Sequence, residues 1–174
     1  MNNTGGQAAP AKALTLADFT GEVLLLPQMQ ARDMPGVIHE LSNAFPLTDA
    51  RWDAEQLRHA ALQREERMST AMEFGAAFPH VRSSACLRLQ FAMGRAAEPF
   101  PWGGRGALRV RFVFLNAVPE NDAMGYLKLL SAMARLGREP ALLEQFKTAN
   151  SAREMLELFD RIPIAKAKTD RGYV

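Results

Sequence analysis

Two stretches of the chain alternate between large apolar residues and smaller or polar ones, a pattern typical of β-strands. The large apolar residues of the first stretch, 87–94, are Leu87, Leu89, Phe91 and Met93. Those on one side of the second stretch, 108–116, are Leu108, Val110, Phe112 and Phe114. The other side begins with Arg109 and Arg111 and turns apolar at Val113. The second strand is therefore expected to start at the solvent and become buried on both faces, and the Pro- and Gly-rich residues 99–104 predict a turn between the strands.

Helical spacing marks two earlier segments. A helix that begins near Asp33 and Pro35 carries one apolar face, formed by Val37, Ile38, Leu41 and Phe45. A second helix is predicted from Asp53 to Arg67, and one of its faces holds Leu57, Ala60, Ala61 and Arg64. An arginine at the end of an apolar stripe is ordinarily a solvated residue that complements the helix dipole. The apolar run 23–26 fits a short buried strand, although its periodicity leaves a helix open.

The last third of the chain is predicted to be mainly helical. A helix over 124–136 places Leu127, Leu130 and Ala134 on one stripe, and Gly137 stops it. A short amphipathic helix follows over 140–147. The pair Ser151 and Glu154 has the spacing of a capping box before another apolar stripe. Strands interspersed with helices predict an α/β sandwich.

Composition indicates the general class of protein but no particular catalytic activity. The 174 residues fit one domain, and the net charge of +2 gives no general case for nucleic-acid binding. Cys86 is the sole cysteine, which excludes an intramolecular disulfide and favours a reducing compartment. With neither a secretory leader nor a membrane-spanning run in the sequence, we expect a cytoplasmic protein without membrane insertion. Residues 1–13 are predicted to be a flexible lead, 14–161 a single domain and 162–174 a polar basic tail.

The three histidines differ in their surroundings. His39 and His59 lie on the polar sides of predicted helices and show no metal-ligand spacing, so neither a metal site nor a cofactor is predicted. His80 follows a short apolar segment that ends in Pro79, and we therefore expect the histidine to lie in a loop, where functional side chains are common. Cys86 is interpreted as a small core residue.

Four groups of residues occur in order before and at this histidine: Arg64-Glu65, Ser69-Thr70, Gly75 and Ala77-Phe78-Pro79-His80. Their spacing resembles the signature of phosphotransferase-system enzyme IIA domains of the mannitol/fructose class, which includes the stand-alone nitrogen-regulatory IIA proteins. Residues 112–115 with Pro119 are similar to the central strand of that family, and residues 127–136 and 151–158 are similar to its later helices. The resemblance covers roughly 14–161.

The resemblance implies a three-layer α/β/α sandwich with a mixed central sheet. It implies that His80 accepts a phosphoryl group from an HPr-like carrier, as a phosphohistidine carrier rather than a turnover enzyme. The acceptor is then a IIB domain in sugar uptake or a target protein in nitrogen-type regulation, and homodimer formation is left open. Arg64 is suited to hold phosphate oxygens with its planar fork, and the hydroxyls of Ser69 and Thr70 to orient the ring or the phosphate.

Two positions depart from the family pattern. Tyr126 stands where the family has a second histidine, and Glu73 stands where it favours glycine. A neutral hydroxyl offers a weaker hydrogen bond than an imidazolium, which corresponds to roughly a tenfold loss of phosphate stabilisation. This departure supports an alternative function, a non-catalytic IIA-like interaction module. Binding of nucleic acid through Arg109, Arg111 and the basic tail is not expected, because a solvated sheet edge explains these residues.

Overall fold

The computed structural model describes residues 13–46, 53–104 and 106–164. Most of the predicted N-terminal lead and of the basic tail therefore lies outside the described residues. Five α-helices are described: α1 Met34–Ala44, α2 Ala54–Arg67, α3 Ala123–Ala134, α4 Pro140–Thr148 and α5 Ala152–Asp160. Six strands are described: β1 Leu25–Leu26, β2 Ala71–Met72, β3 Ala76–Ala77, β4 His80–Ser83, β5 Gln90–Pro101 and β6 Arg109–Pro119.

The six strands form one mixed sheet around β6. The order is β1-β5-β6-β3-β2, and β4 also pairs with β6, further along the edge used by β3. The long strands β5 and β6 are antiparallel, whereas β3 and β4 run parallel to β6. The predicted turn over 99–104 is wrong in its first part, because β5 continues to Pro101 after an irregularity between Arg95 and Phe100. Proline is tolerated there because it lies at the end of a strand.

Helices cover both faces of the sheet, which confirms the three-layer α/β/α sandwich. One buried cluster joins α1 and α2 to side chains such as Val113 and Leu115 of β6. A second cluster joins α3, α4 and α5 to the opposite face, where Phe112 and Phe114 point. Successive residues of a strand point to opposite faces, so the apolar run of β6 supplies both cores.

The first two helices begin where the sequence predicts. Asp33 accepts a hydrogen bond from the amide of Gly36 at 2.8 Å, and Asp53 accepts one from Gln56 at 2.8 Å. At α5 the Ser151 hydroxyl accepts from the amide of Glu154 at 3.1 Å. The Glu154 carboxylate, however, accepts from the amide of Asn150 instead of returning to Ser151, so the reciprocal half of the predicted capping box is absent there.

The prediction of which face of α3 is buried was wrong. Its buried residues are Leu129, Ala132 and Met133, whereas Leu127 is 56% exposed. The helix carries apolar residues on more than one side, so spacing alone could not select the side that meets the sheet. The observed orientation of α3 leaves Leu127 at the surface and turns Tyr126 toward His80 of β4.

His80 does not lie in a loop as predicted. It is the first residue of β4, and its backbone pairs with Asn116 of β6. Just before it, a tight β2–β3 hairpin turns at Gly75, whose φ of +88° lies in the left-handed region that favours glycine. The run 23–26 is likewise only partly a strand, since a 3₁₀ turn over Glu22–Leu24 precedes the two residues of β1.

Candidate functional site

The imidazole of His80 is half-buried beside the central strand. Its Nδ1 atom lies 3.4 Å from the carbonyl oxygen of Phe78. A carbonyl accepts only, so this contact favours the tautomer that carries its proton on Nδ1 and leaves the lone pair on Nε2. No side chain of the described structure hydrogen-bonds to Nε2, and this nitrogen is therefore the one available to a reactant.

Electrostatics keep this ring neutral. Burial lowers the pKa of His80, and the nearby positive charge of Arg64 lowers it further. The Phe78 carbonyl and the carboxylate of Glu65 act in the opposite direction but do not reverse the shift. At pH 7 the imidazole is then predominantly unprotonated, the form that acts as a nucleophile.

A cationic cleft of about 320 Å³ opens at His80. Its lining includes Arg64 and Arg67 from the end of α2 and Arg82 from β4. Arg64 donates to the carbonyl of Met68 at 3.0 Å, and Arg82 donates to the carbonyl of Glu120. Within the described part of the chain, none of these three guanidinium groups forms an ion pair with a carboxylate. The cleft thus presents uncompensated positive charge next to a neutral imidazole, which suits a phosphate-sized anion.

Tyr126 closes one side of His80. The centroids of the two rings are 5.1 Å apart, and the ring planes are tilted by 38°. The ring is held near the start of α3, where the Tyr126 amide donates to the carbonyl of Asp122 at 3.1 Å. Burial raises the pKa of Tyr126 to about 12, so its hydroxyl stays neutral across the physiological range. It can donate one neutral hydrogen bond but carries no charge toward a phosphate.

The two predicted hydroxyl residues occupy different places. Thr70 donates its hydroxyl proton to Glu65 at 2.8 Å and accepts from the amide of Phe78 at 3.1 Å. The hydroxyl of Ser69 accepts from the amide of Ala71 at 3.3 Å and faces a neighbouring groove together with Trp102. The structure therefore brings together His80, Arg64 and Tyr126, places Thr70 behind the histidine backbone, and leaves Ser69 outside the cleft lining.

Comparison with known proteins identifies the family. Residues 19–162 match the family described as "Phosphoenolpyruvate-dependent sugar phosphotransferase system, EIIA 2". The chain belongs to the EIIA 2 family. The match spans every element described from α1 to α5, including the segment with Arg64 and His80.

Relatives of the EIIA 2 chain include both regulatory and sugar-specific proteins. The chain is 24% identical to a nitrogen regulatory protein of Bradyrhizobium diazoefficiens over 88% of its own length and 100% of that protein. It is 28% identical to the 2-O-α-mannosyl-D-glycerate-specific EIIABC component of Escherichia coli over 71% of its own length. In that case it spans 19% of the relative, which is a much longer protein.

Solved structures share the EIIA 2 fold. The nitrogen regulatory protein IIA-Ntr of Neisseria meningitidis aligns with a TM-score of 0.70 at 20% identity, over 83% of this chain and 98% of that one. Enzyme IIA of the mannitol system of Escherichia coli, solved in complex with its phosphorylated enzyme IIB, aligns with a TM-score of 0.66 at 16% identity, over 80% of this chain and 95% of that one. None of the helices described for the present chain is long and apolar enough to cross a membrane.

Three buried residues with hydrogen-bonding side chains support the EIIA 2 site and had no role predicted from the sequence, although Glu65 belongs to the motif that begins at Arg64. Glu65, Trp102 and Asn116 are 3%, 1% and 0% exposed. Glu65 occurs four residues after Ala61 on the buried face of α2, and Asn116 interrupts the apolar run of β6. A polar residue at an apolar position was thus the available signal, since buried polar groups are retained only with hydrogen-bond partners.

Proposed function

We propose that this EIIA 2 chain is a phosphoryl carrier that accepts phosphate on His80 Nε2 from an HPr-like phosphocarrier protein. One observation carries the proposal: a neutral imidazole with a free Nε2 opens onto a cleft lined by three arginines that have no carboxylate partner in the described structure. Phosphoryl transfer needs chiefly positioning and compensation of charge, and this arrangement supplies both.

In the proposed step, the lone pair of His80 Nε2 attacks the phosphorus of the donor phosphohistidine. A new N–P bond forms as the donor's N–P bond breaks, and the donor imidazole leaves with that electron pair. The Nδ1 proton of His80 stays at the Phe78 carbonyl, which stabilises the positive charge that develops on the ring. Arg64 holds equatorial phosphate oxygens in the cleft, and the Tyr126 hydroxyl contributes a neutral hydrogen bond. In transfer to an acceptor, a nucleophile of the acceptor attacks the phosphorus, the Nε2–P bond breaks, and His80 leaves with that electron pair as a neutral imidazole.

The phosphorylated chain has two candidate roles. The alignment with the whole of a nitrogen regulatory protein supports a regulatory role, in which the phosphorylation state changes binding to a target protein. The relation to a sugar-specific EIIABC component supports transfer to a IIB domain. A second candidate function, an interaction module with impaired phosphorylation, draws on the uncharged state of Tyr126. Both functions are compatible with a cytoplasmic protein.

The test is phosphorylation with radiolabelled phosphoenolpyruvate, enzyme I and HPr. The expected product is an acid-labile, base-stable phosphate on the wild-type chain that is absent from His80→Ala. His59→Ala is the matched control, because His59 is an exposed histidine on α2 whose ring contacts only Gln63 by a hydrogen bond in the described structure. Labelling of His80→Ala at the wild-type rate contradicts the site assignment, whereas an unlabelled wild type favours the interaction module.

A further inference from the structure

Behind His80 lies a buried carboxylate whose described hydrogen bonds all come from uncharged donors. Glu65 is 3% exposed. Its Oε1 accepts from the amide of Thr70 at 2.6 Å and from the indole N–H of Trp102 at 2.7 Å, and its Oε2 accepts from the Thr70 hydroxyl at 2.8 Å. A carboxylate buried without a cation is costly, so its retention calls for a specific reason.

These hydrogen bonds continue to the proposed phosphorylation site. The Thr70 oxygen accepts from the amide of Phe78 at 3.1 Å, and the carbonyl of the same Phe78 is the group that faces His80 Nδ1 at 3.4 Å. A continuous series therefore runs from Trp102 through Glu65, Thr70 and Phe78 to the imidazole. It crosses three separate parts of the fold, namely the end of β5, the end of α2 and the segment before β4.

The direction of each hydrogen bond follows from the carboxylate. An ionised Glu65 only accepts, so the Thr70 hydroxyl must point its proton at Glu65 and offer a lone pair to the Phe78 amide. The next peptide is held from the other side, because the carbonyl of Pro79 accepts both the amide of Asn116 at 2.9 Å and its Nδ2 at 3.2 Å. Phe78 and Pro79 are thus held from both sides immediately before the histidine.

We propose that Glu65 is a positioning residue for phosphoryl transfer, which holds the Phe78 carbonyl against His80 Nδ1 through Thr70 and is itself anchored by Trp102. This inference rests on the proposed function of His80. It predicts that the orientation and protonation of the imidazole depend on a carboxylate that does not line the cleft.

The charges around His80 give the inference a readout besides activity. The described charged and titratable groups around the ring are Arg64, Arg67 and Arg82 in the cleft, Tyr126 beside the ring, and Glu65 behind it. The contact with the Phe78 carbonyl and the negative charge of Glu65 both raise the pKa of His80, against the lowering by burial and by Arg64. Removal of that charge therefore lowers the pKa of His80, and loss of the Phe78 contact shifts the ring from the Nδ1–H form toward a mixture of tautomers.

The test compares Glu65→Gln and Thr70→Val with wild type. Glu65→Gln keeps the size of the side chain but places an NH₂ group where Thr70 needs an acceptor, and Thr70→Val removes the hydroxyl at nearly constant volume. The phosphorylation rate with enzyme I and HPr is expected to fall about 10- to 100-fold in both, the scale of a small misplacement of a reacting group. The ¹⁵N chemical shifts of the His80 ring are expected to move toward mixed tautomers in both variants. The pKa of the ring is expected to fall in both, because each loses the Phe78 contact that raises it, and Glu65→Gln also loses the negative charge.

Two controls separate positioning from a general effect on the fold. Glu55→Gln removes an exposed carboxylate from the same helix, where it pairs with Arg58, and is expected to leave both readouts unchanged. Thr70→Ser restores a hydroxyl, and its rate and ring shifts are expected to return toward wild type. A purely structural role predicts that Thr70→Val and Thr70→Ser differ in melting temperature but share the wild-type ring shifts.

The outcomes also distinguish this inference from the proposed function. Wild-type rates and unchanged ring shifts in Glu65→Gln and Thr70→Val overturn the inference while leaving His80 as a carrier. If wild type itself accepts no phosphate, the proposed function fails. The ring shifts then decide alone: movement in both variants supports positioning of the imidazole, and no movement overturns it.

Discussion

Replacement of Arg64 tests whether the cleft works by charge or by geometry. In the structure one guanidinium N–H donates to the Met68 carbonyl, and no other acceptor in the described chain takes its remaining donors. These donors are therefore available to phosphate oxygens. Arg64→Met keeps an unbranched apolar stem but removes both charge and donors, whereas Arg64→Lys keeps the charge and loses the planar fork.

The expected magnitude follows from the hydrogen bonds that are lost. A hydrogen bond to a charged group contributes about 1.5–3 kcal/mol. If one such bond forms only with the transferring phosphoryl group, its loss slows phosphorylation by about 10- to 150-fold, at about 1.4 kcal/mol per factor of ten. Arg64→Met is expected to reach this range. Arg64→Lys is expected to fall between it and wild type, since a point charge remains.

The same substitution shifts a titration. Arg64 lowers the pKa of His80, so Arg64→Met is expected to raise that pKa and move the acid limb of the rate profile to higher pH. The assay is the initial rate of phosphoryl transfer as a function of pH, with Arg58→Met as control because Arg58 lies on the same helix and pairs with exposed Glu55. A rate within twofold of wild type, or a lower His80 pKa in Arg64→Met, would refute the assignment of Arg64.

Three further outcomes are expected. Tyr126→Phe removes one neutral hydrogen bond, worth about 0.5–1.5 kcal/mol, and should slow phosphorylation by about 2- to 10-fold in the same assay while the tilted ring contact with His80 remains. The pKa of folded His80 lies below its unfolded value of about 6.5, so the unfolded chain binds the proton more readily. The free energy of unfolding measured in urea should therefore fall as the pH drops through that value, and His80→Gln should lose this pH dependence. Gly94→Ala should lower the melting temperature through a loss of about 1–3 kcal/mol, since its Cβ would collide with Met29 Sδ and lie 3.2 Å from Leu41 Cδ2; an unchanged melting temperature would show that Met29 relocates freely.

The sequence predicted the parts of the site that local pattern encodes. Asp53 at the start of α2 and the helical spacing after it place Arg64 near the end of that helix, and the structure agrees. The spacing from Arg64 to His80 also carried the family resemblance, which the EIIA 2 match confirms. The roles assigned to His80, Arg64, Ser69, Thr70 and Tyr126 all stay predictions, and the ring contact between Tyr126 and His80 makes the role of Tyr126 directly testable.

The loop predicted at His80 and the buried face predicted for α3 are wrong for the same physical reason. The backbone of His80 looks like a loop in sequence because Pro79 precedes it and few apolar residues follow. It becomes a strand because β6, more than thirty residues later, offers backbone hydrogen-bonding groups, and Asn116 of β6 lies opposite His80. In the same way, the sheet decides that Leu129 and Met133 of α3 are buried and that Leu127 is exposed.

The sequence by itself determined the capped starts of α1 and α2, the existence of two long strands and the motif that ends at His80, because each depends on neighbours within a few turns of chain. The bounds were less secure, since β5 begins at Gln90, three residues after the predicted start. Only the tertiary structure decided which atoms surround that histidine. The contacts from Trp102 to Glu65 and from Asn116 to Pro79 each join residues 37 positions apart. Such pairings depend on which strand edges and helix faces meet, and spacing along the chain does not specify them. The tertiary fold therefore places an imidazole with a lowered pKa, oriented by the Phe78 carbonyl, beside three arginines.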